Sequence, residues 1–144
     1  MAVLKISRKI TVAAPRDLCY AFWSDPRNFK ATFDVVSEVA DISESQSRWT
    51  LNLPSGKQEE VVMVRAGSPP DTLAWVSSDS PITFNTGFAF AESSMGGTDM
   101  ALEAEIGMGG LQGMMLPAMR PVIEQKIDDV LSRFRQAVEA QATA

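Results

Sequence analysis

The chain of 144 residues is 45% hydrophobic and 22% charged and carries a net charge of −5 at pH 7. This length fits a single domain spanning residues 1–144, and the composition is typical of globular rather than disordered proteins. Because the charge is negative and the basic residues are dispersed, the sequence lacks a patch that neutralises phosphates. We therefore expect neither nucleic acid nor an anionic membrane surface as a partner.

Two scarce residue types exclude whole classes of catalytic site. The chain contains no histidine, which rules out a histidine acid or base, a Ser-His-Asp triad and a Cys-His pair. Cys19 is the only cysteine, so no intrachain disulfide forms, and we expect a small buried hydrophobe rather than a nucleophile. Zinc prefers nitrogen and sulfur ligands. We therefore predict no metal and no cofactor.

No segment of the sequence has the pattern of a targeting or membrane-spanning element. Residues 1–14 lack the apolar run of a secretory signal. The longest uncharged stretch, residues 106–119, contains glycines and a proline and is shorter than the ~20 apolar residues of a spanning helix. We expect a cytoplasmic protein with no integral membrane segment.

The chain begins with a strand and two short helices. Apolar residues alternate with polar ones over residues 4–12, which predicts a strand, and Pro15 suits the first turn of the helix that follows. Asp25 and Pro26 end this helix and begin a second one, because aspartate caps a helix and proline fits its first position. Both helices should precede the second strand.

Six further strands follow in an unbroken row. From residue 35 onward the hydrophobic period changes from helical to alternating, and the connections are short and rich in turn residues. Such connections suit antiparallel hairpins and leave no room for helical crossovers. The predicted strands are residues 35–42, 48–53, 59–65, 72–77, 82–91 and 98–106.

Alternation along these strands also predicts which side chains face inward. Residues of the same parity in a strand point to one side of the sheet. Glu103 and Glu105 have the opposite parity, and we expect them to face solvent. The residues expected to face the core or a cavity are Trp49, Leu51, Leu53, Leu73, Trp75, Phe84, Phe88, Phe90, Met100, Leu102, Ala104 and Ile106.

A long amphipathic helix closes the sequence. Pro121 is tolerated only in a first turn, so the helix should begin near Ala118 and run to about Ala140. This order of elements predicts a curved antiparallel sheet that grips the last helix, with a cavity between them. The apolar residues that recur at spacings of three or four and predict the buried face of the helix are Met119, Ile123, Ile127, Val130, Phe134 and Val138.

Several short motifs, taken in order, resemble one family. They are FWSDPRNF at residues 22–29, LAW at 73–75, NTG at 85–87 with Phe90 after it, Gly97-Thr98, and RFR at 133–135. Together they resemble the polyketide cyclase/dehydrase branch of the START-like superfamily, also called SRPBCC or Bet v 1-like. The resemblance implies an α+β helix-grip fold, in which a seven-stranded curved antiparallel sheet wraps around a long C-terminal helix and two short helices lie between strands 1 and 2.

The resemblance also implies a function. Members of this superfamily bind lipids, sterols, polyketide intermediates or quinones between helix and sheet, and its aromatase/cyclases fold and dehydrate polyketide chains. In those cyclases an arginine on a middle strand and a tyrosine after the second short helix orient the substrate. Arg65 occupies about the arginine position, whereas Val35 and Val36 stand near the tyrosine position.

Arg65 and Asn85 are the two candidate catalytic residues, since either could polarise a carbonyl. Arg65 shares parity with Met63 and could place a cation in an apolar cavity, or it could be a strand-end arginine that reaches solvent. An amide such as Asn85 in an aromatic strand is costly unless it is hydrogen-bonded, and the alternative for it is a bulge beside Gly87.

The predicted cavity has aromatic and methionine walls, which are common in sites for apolar ligands. The glycine- and methionine-rich residues 107–113 form either a mobile lid over its mouth or plain core packing. The predicted ligand-binding residues are Trp49, Met63, Trp75, Phe88, Phe90, Met100, Met114 and Met115.

Three functions stay open at the level of sequence. The leading hypothesis is binding of a hydrophobic, aromatic or polyketide-like small molecule in the cavity. The second is a cofactor-independent polyketide cyclase, aromatase or dehydratase that acts by positioning its substrate. The third is a lipid or quinone chaperone that docks on a membrane or protein through its lid. The oligomeric state is open, with a homodimer as one option.

Overall fold

The computed structural model describes residues 2–53, 56–78 and 80–143. None of the helices in this described part of the chain has the length and hydrophobicity that crossing a bilayer requires. The elements in chain order are β1 (Ala2–Val12), α1 (Arg16–Ser24), α2 (Arg27–Thr32), β2 (Val36–Asp41), β3 (Gln46–Asn52), β4 (Gln58–Ala66), β5 (Thr72–Ser78), β6 (Thr83–Glu92), β7 (Thr98–Met108), α3 (Gly110–Met115), a 3-10 turn (Leu116–Met119) and α4 (Arg120–Thr143).

The seven strands form one antiparallel sheet in the order β1-β7-β6-β5-β4-β3-β2. From β2 to β7 each strand pairs with the next one in the sequence, as the short connections predict. β1 pairs with β7 along its whole length, from Ala2 opposite Met108 to Val12 opposite Thr98. The curved sheet, the two short helices after β1 and the long last helix confirm the predicted helix-grip fold.

The bounds of the strands and of the last helix differ from the prediction by one to three residues, and two of these differences have identifiable reasons. β7 continues beyond residue 106 to Met108, because its pairing with β1 continues to Ala2. α4 begins at Arg120 rather than near Ala118, because the 3-10 turn comes directly before it. The glycine- and methionine-rich segment between β7 and α4 is helical, with α3 at its centre.

The predicted alternation of the strands is confirmed. The residues expected to face inward are buried, apart from Ile106, which is half-buried. Glu103 is exposed on the other face, and Glu105 beside it is half-buried. The inner face of the sheet is thus almost entirely apolar, and this face packs against α4.

Both an apolar face and polar contacts hold α4 on the sheet. Arg8 on β1 donates from Nε to Asp128 at 2.8 Å, and Glu139 accepts from the backbone N of Ala13 at 2.8 Å. Arg133 donates to the carbonyl oxygen of Thr32 at 2.7 Å, at the end of α2. The buried residues of α4 are Ile123, Ile127, Val130, Leu131, Phe134 and Val138, whose burial is worth on the order of 10 kcal/mol as an upper bound.

Aromatic rings fill the core at the end of the sheet covered by α1. The Trp23 ring lies 4.8 Å from Phe88, 5.0 Å from Phe29 and 4.9 Å from Phe134, measured between ring centroids. Packing of this kind leaves little free volume. We call these rings the aromatic cluster, which consists of Phe22, Trp23, Phe29, Trp49, Trp75, Phe88 and Phe134.

Candidate ligand-binding cavity

A cavity of about 380 Å³ lies beneath the first turns of α4, at the end of the sheet away from α1. Its walls come from β3, β6, β7, α4 and the segment between α2 and β2. Most of the walls are apolar, and the exceptions are Asp34, Asn52 and Lys126. We call this space the outer cavity. It is lined by Phe33, Asp34, Val35, Leu51, Asn52, Leu53, Ile82, Phe84, Ile106, Met108, Met119, Val122, Ile123 and Lys126.

Ordinary strand and helix periods place these side chains. Phe84 and Ile106 are opposite each other in the register of β6 and β7, so they lie side by side on the face toward the helix. Met119 ends the 3-10 turn and Ile123 lies in the first turn of α4, four residues later, and both side chains line the outer cavity. Gly113 allows α3 to pack on the end of β7, since a Cβ at this position would collide with the carbonyl oxygen of Met108.

A second, smaller cavity of about 30 Å³ lies deeper under α4. Its volume is enough for about one water-sized group. Phe33, Phe84 and Ile106 line both cavities, so the two spaces are neighbours. We call this space the inner cavity. Its other lining residues are Trp23, Phe29, Thr86, Phe88, Leu102, Ala104, Ile127 and Val130.

Two side chains of the inner cavity have an unpaired polar atom. Trp23 is 1% exposed and Thr86 is 6% exposed, yet Trp23 Nε1 and Thr86 Oγ1 have no hydrogen-bond partner among the described residues. By contrast, Trp75 Nε1 donates to the carbonyl oxygen of Trp23 at 2.9 Å, and Thr98 Oγ1 donates to the carbonyl oxygen of Ala14 at 2.7 Å. A buried polar group without a partner costs about 1–3 kcal/mol.

Comparison with known proteins shows which solved structures share the fold that contains these cavities. No model of a protein family matches the sequence, and no curated protein matches it. Solved structures do match. A Deinococcus radiodurans protein is 19% identical, with a TM-score of 0.77 over 96% of this chain and 98% of its own. A START superfamily protein from Mycobacterium smegmatis is 11% identical, with a TM-score of 0.65 over 96% of this chain and 97% of its own.

A third matching structure is a di-domain protein from a biosynthetic pathway. The di-domain ARO/CYC StfQ from the steffimycin biosynthetic pathway is 14% identical, with a TM-score of 0.72 over 99% of this chain and 53% of its own. This chain shares the helix-grip fold with these proteins. At such identities the likeness shows the fold alone, and this chain spans about half the length of StfQ.

Within this helix-grip fold, the predicted ligand-binding residues lie mainly in the packed core. Phe88 lines the inner cavity, whereas the other five predicted core residues line neither cavity. Met114 and Met115 are 77% and 58% exposed and line neither cavity. Met108 and Met119, from the same methionine-rich segment, do line the outer cavity. The core residues outside both cavities are Trp49, Met63, Trp75, Phe90 and Met100.

The two candidate catalytic residues also lie outside the cavity walls. Arg65 Nη1 donates to the carbonyl oxygen of Ser24 at 3.3 Å, so the guanidinium pairs with the last residue of α1. Asn85 accepts from the backbone N of Ser77 at 3.0 Å and donates to Glu105 at 3.2 Å. Both side chains therefore have partners in the fold, and their catalytic role stays a prediction.

Cys19 lies in the packed core as a small apolar side chain would. It is completely buried and forms no disulfide, and burial raises the pKa of its thiol. A raised pKa keeps the thiol protonated at neutral pH, and the protonated form is a poor nucleophile. The expectation that Cys19 is a buried hydrophobe rather than a nucleophile agrees with this environment.

Three residues that line the cavities were not predicted from the sequence to be ligand-binding residues. Thr86 has the same parity as Phe84 and Phe88 on the same strand. Alternation alone therefore places its hydroxyl on the apolar face of the sheet. Phe33 ends the second short helix, and no periodic signal marks it as a wall. Ile123 was expected to be core, and only the empty space next to it makes it a cavity residue.

Proposed function

We propose that this protein binds an apolar small molecule in the outer cavity. The observation that carries the proposal is an apolar space of about 380 Å³ within a domain whose other end is closely packed. Ligand sites are typically concave, mostly apolar and about 300–1,000 Å³ in volume. The fold shared with a START superfamily protein and with an ARO/CYC also supports a hydrophobic ligand.

The walls of the outer cavity indicate the size and chemistry of this ligand. Its volume lies near the lower end of the range for ligand sites, which favours a compact molecule over a long lipid chain. Phe33 and Phe84 offer ring faces and edges for an aromatic or polyketide-like ligand. Asp34 is paired with Arg133 at 3.1 Å, whereas Lys126 has no ion pair among the described residues. Lys126 is therefore the group available to a negative substituent at the wall.

A variant that fills the outer cavity tests the proposal. Ile123→Trp places a large ring beneath α4 and should weaken binding of the fluorescent probe N-phenyl-1-naphthylamine at least about tenfold, because the probe and the new side chain compete for the same space. Met114→Trp adds the same ring at an exposed position that lines neither cavity, and it should bind the probe as the parent does.

Thermal unfolding shows whether both variants are folded before the titrations are compared. If folded Ile123→Trp bound the probe as tightly as Met114→Trp, the outer cavity would not be the binding site. Absence of binding by the parent to this probe and to other bicyclic aromatic compounds would contradict the proposed function itself.

A second candidate function is a carrier that exchanges its ligand at a bilayer. The observation in its favour is that Met114, Met115 and Val122 are exposed, and Val122 also lines the outer cavity. Flotation with phosphatidylcholine vesicles tests it. Met114→Ser with Met115→Ser should abolish association with vesicles and leave probe binding unchanged. The cyclase or dehydratase role expected for Arg65 and Asn85 stays a prediction without such support.

A further inference from the structure

Trp23 and Thr86 differ from the other buried hydrogen-bonding side chains of the core. Among the three tryptophans, Trp75 and Trp49 donate to partners at 2.9 Å and 3.1 Å, and only Trp23 Nε1 is unpaired. Among the buried threonines, Thr98 and Thr32 donate to carbonyl oxygens at 2.7 Å and 2.6 Å, and only Thr86 Oγ1 is unpaired. Both exceptions belong to residues that line the inner cavity.

The position of this pair relates it to the ligand site. The inner cavity holds about 30 Å³, the size of one oxygen-bearing group, and it shares Phe33, Phe84 and Ile106 with the outer cavity. A molecule whose apolar body fills the outer cavity would reach the inner cavity by extending one small group past these three residues. That group would meet the side chains of Trp23 and Thr86.

The chemistry of the pair specifies the group. An indole Nε1 is a donor only, so its partner must be a hydrogen-bond acceptor, and a threonine hydroxyl can donate to the same atom. No charged side chain lines the inner cavity among the described residues. A carboxylate buried there would lack a counter-charge, which is far more costly than burying a neutral oxygen.

We propose that the ligand carries a neutral carbonyl oxygen at its leading end, and that this oxygen accepts hydrogen bonds from Trp23 Nε1 and Thr86 Oγ1. The inference rests on the proposed function, because it assumes that the body of the ligand lies in the outer cavity. It adds the chemical class of the ligand and its orientation, with the carbonyl inward and any charged substituent toward Lys126.

A matched pair of probes tests the carbonyl. 2-Acetylnaphthalene and 2-isopropenylnaphthalene have the same shape, and only the first has an oxygen acceptor. Their affinities are measured by displacement of N-phenyl-1-naphthylamine. The ratio of ketone to hydrocarbon affinity should fall about fivefold in Thr86→Val and in Trp23→Phe, as expected for the loss of one hydrogen bond. Thr86→Ser keeps the hydroxyl and should keep the ratio of the parent.

Thr98→Val is the control for a lost buried hydroxyl outside the cavities, and the ratio should not change in this variant. A crystal structure with 2-acetylnaphthalene should place the carbonyl oxygen within hydrogen-bond distance of Trp23 Nε1. The inference is overturned if both probes bind and the ratio is the same in all variants. It is overturned equally if a water fills the inner cavity while the carbonyl lies in the outer one. If N-phenyl-1-naphthylamine itself does not bind to the parent, the failure is that of the proposed function. If the fluorophore binds and the ketone does not displace it, the inference about the carbonyl is overturned while the proposed function stands.

Discussion

The space between α4 and the sheet has two ends, which differ in how they are filled. At the end covered by α1, Phe134 and Val138 are completely buried, and Phe134 packs against the other rings of the aromatic cluster. At the other end, Met119 and Ile123 line an outer cavity of about 380 Å³. The same helix and the same strands, β6 and β7, run through both ends. The strand pattern therefore does not cause the difference.

The cause is the chain that covers each end. At the packed end α1 brings Phe22 and Trp23 into contact with Phe134, with ring centroids 5.2 Å and 4.9 Å away. At the open end α3 and the 3-10 turn follow β7, and the large side chains of Met114 and Met115 are exposed instead of filling the space. Alternation thus predicts which face of the sheet a side chain lies on. The segment that packs over that end of the sheet decides whether the side chain lines a core or a cavity.

Truncation of one side chain at each end should give the largest contrast in stability. Phe134→Ala removes a ring from the aromatic cluster and should lower the free energy of unfolding by about 3–5 kcal/mol. Ile123→Ala should cost less, about 2 kcal/mol, because the Ile123 side chain already borders empty space and loses fewer contacts. Urea unfolding measures both values.

A comparison of the two m-values shows whether each variant keeps the parent's compactness, so that the midpoints report stability alone. Equal losses for Phe134→Ala and Ile123→Ala would mean that the two ends are packed alike in solution. The contrast between a packed end and an open end would then be wrong.

The fold could be predicted from the sequence because its signals are local. Strand alternation, short turns and the spacing of Ile123, Ile127, Val130 and Phe134 each depend on neighbours within a few residues. These signals predicted seven strands, the inward faces and the buried face of the last helix, and the structure confirms all three. The pairing of β1 with β7 lies beyond local signals and was not predicted from the sequence.

The position of the cavity could not be predicted in the same way. Trp49 and Trp75 have the parity and chemistry of cavity walls. Yet Trp49 packs against Phe29 at 4.7 Å and against Trp75 at 5.4 Å between ring centroids. That packing depends on where α2 places Phe29, which is a long-range property. Thr86 shows the converse, since its inward parity was visible in the sequence but its lack of a partner was not.

The unpaired hydroxyl of the inner cavity allows a sharper comparison with the packed end. Thr86→Val removes a hydroxyl that has no partner and should raise the free energy of unfolding of the ligand-free protein by about 1 kcal/mol. Thr98→Val removes a hydroxyl that donates to Ala14 and should lower it by about 1–2 kcal/mol. Both substitutions preserve shape, so opposite signs report hydrogen bonding rather than packing.

Thermal and urea unfolding of the two valine variants measure these changes. A loss of stability in Thr86→Val as large as that in Thr98→Val would mean that the Thr86 hydroxyl is satisfied in solution, for instance by a bound water. The Thr86 hydroxyl would then differ from the Thr98 hydroxyl only in having water, rather than a protein atom, as its hydrogen-bond partner.

The smallest effect concerns the charge at the wall of the outer cavity. Lys126→Met should weaken binding of the anionic probe 1-anilinonaphthalene-8-sulfonate about threefold, since a partly exposed charge pair contributes less than about 1 kcal/mol. The neutral probe N-phenyl-1-naphthylamine should bind unchanged, and added salt should reduce the difference between the two probes because it screens the pair.

Lys9→Met changes the net charge equally at an exposed residue of β1 that lines neither cavity, and it should leave both probes unaffected. If the two lysine variants weakened the anionic probe equally, the effect would come from the overall charge, and Lys126 would not face the ligand.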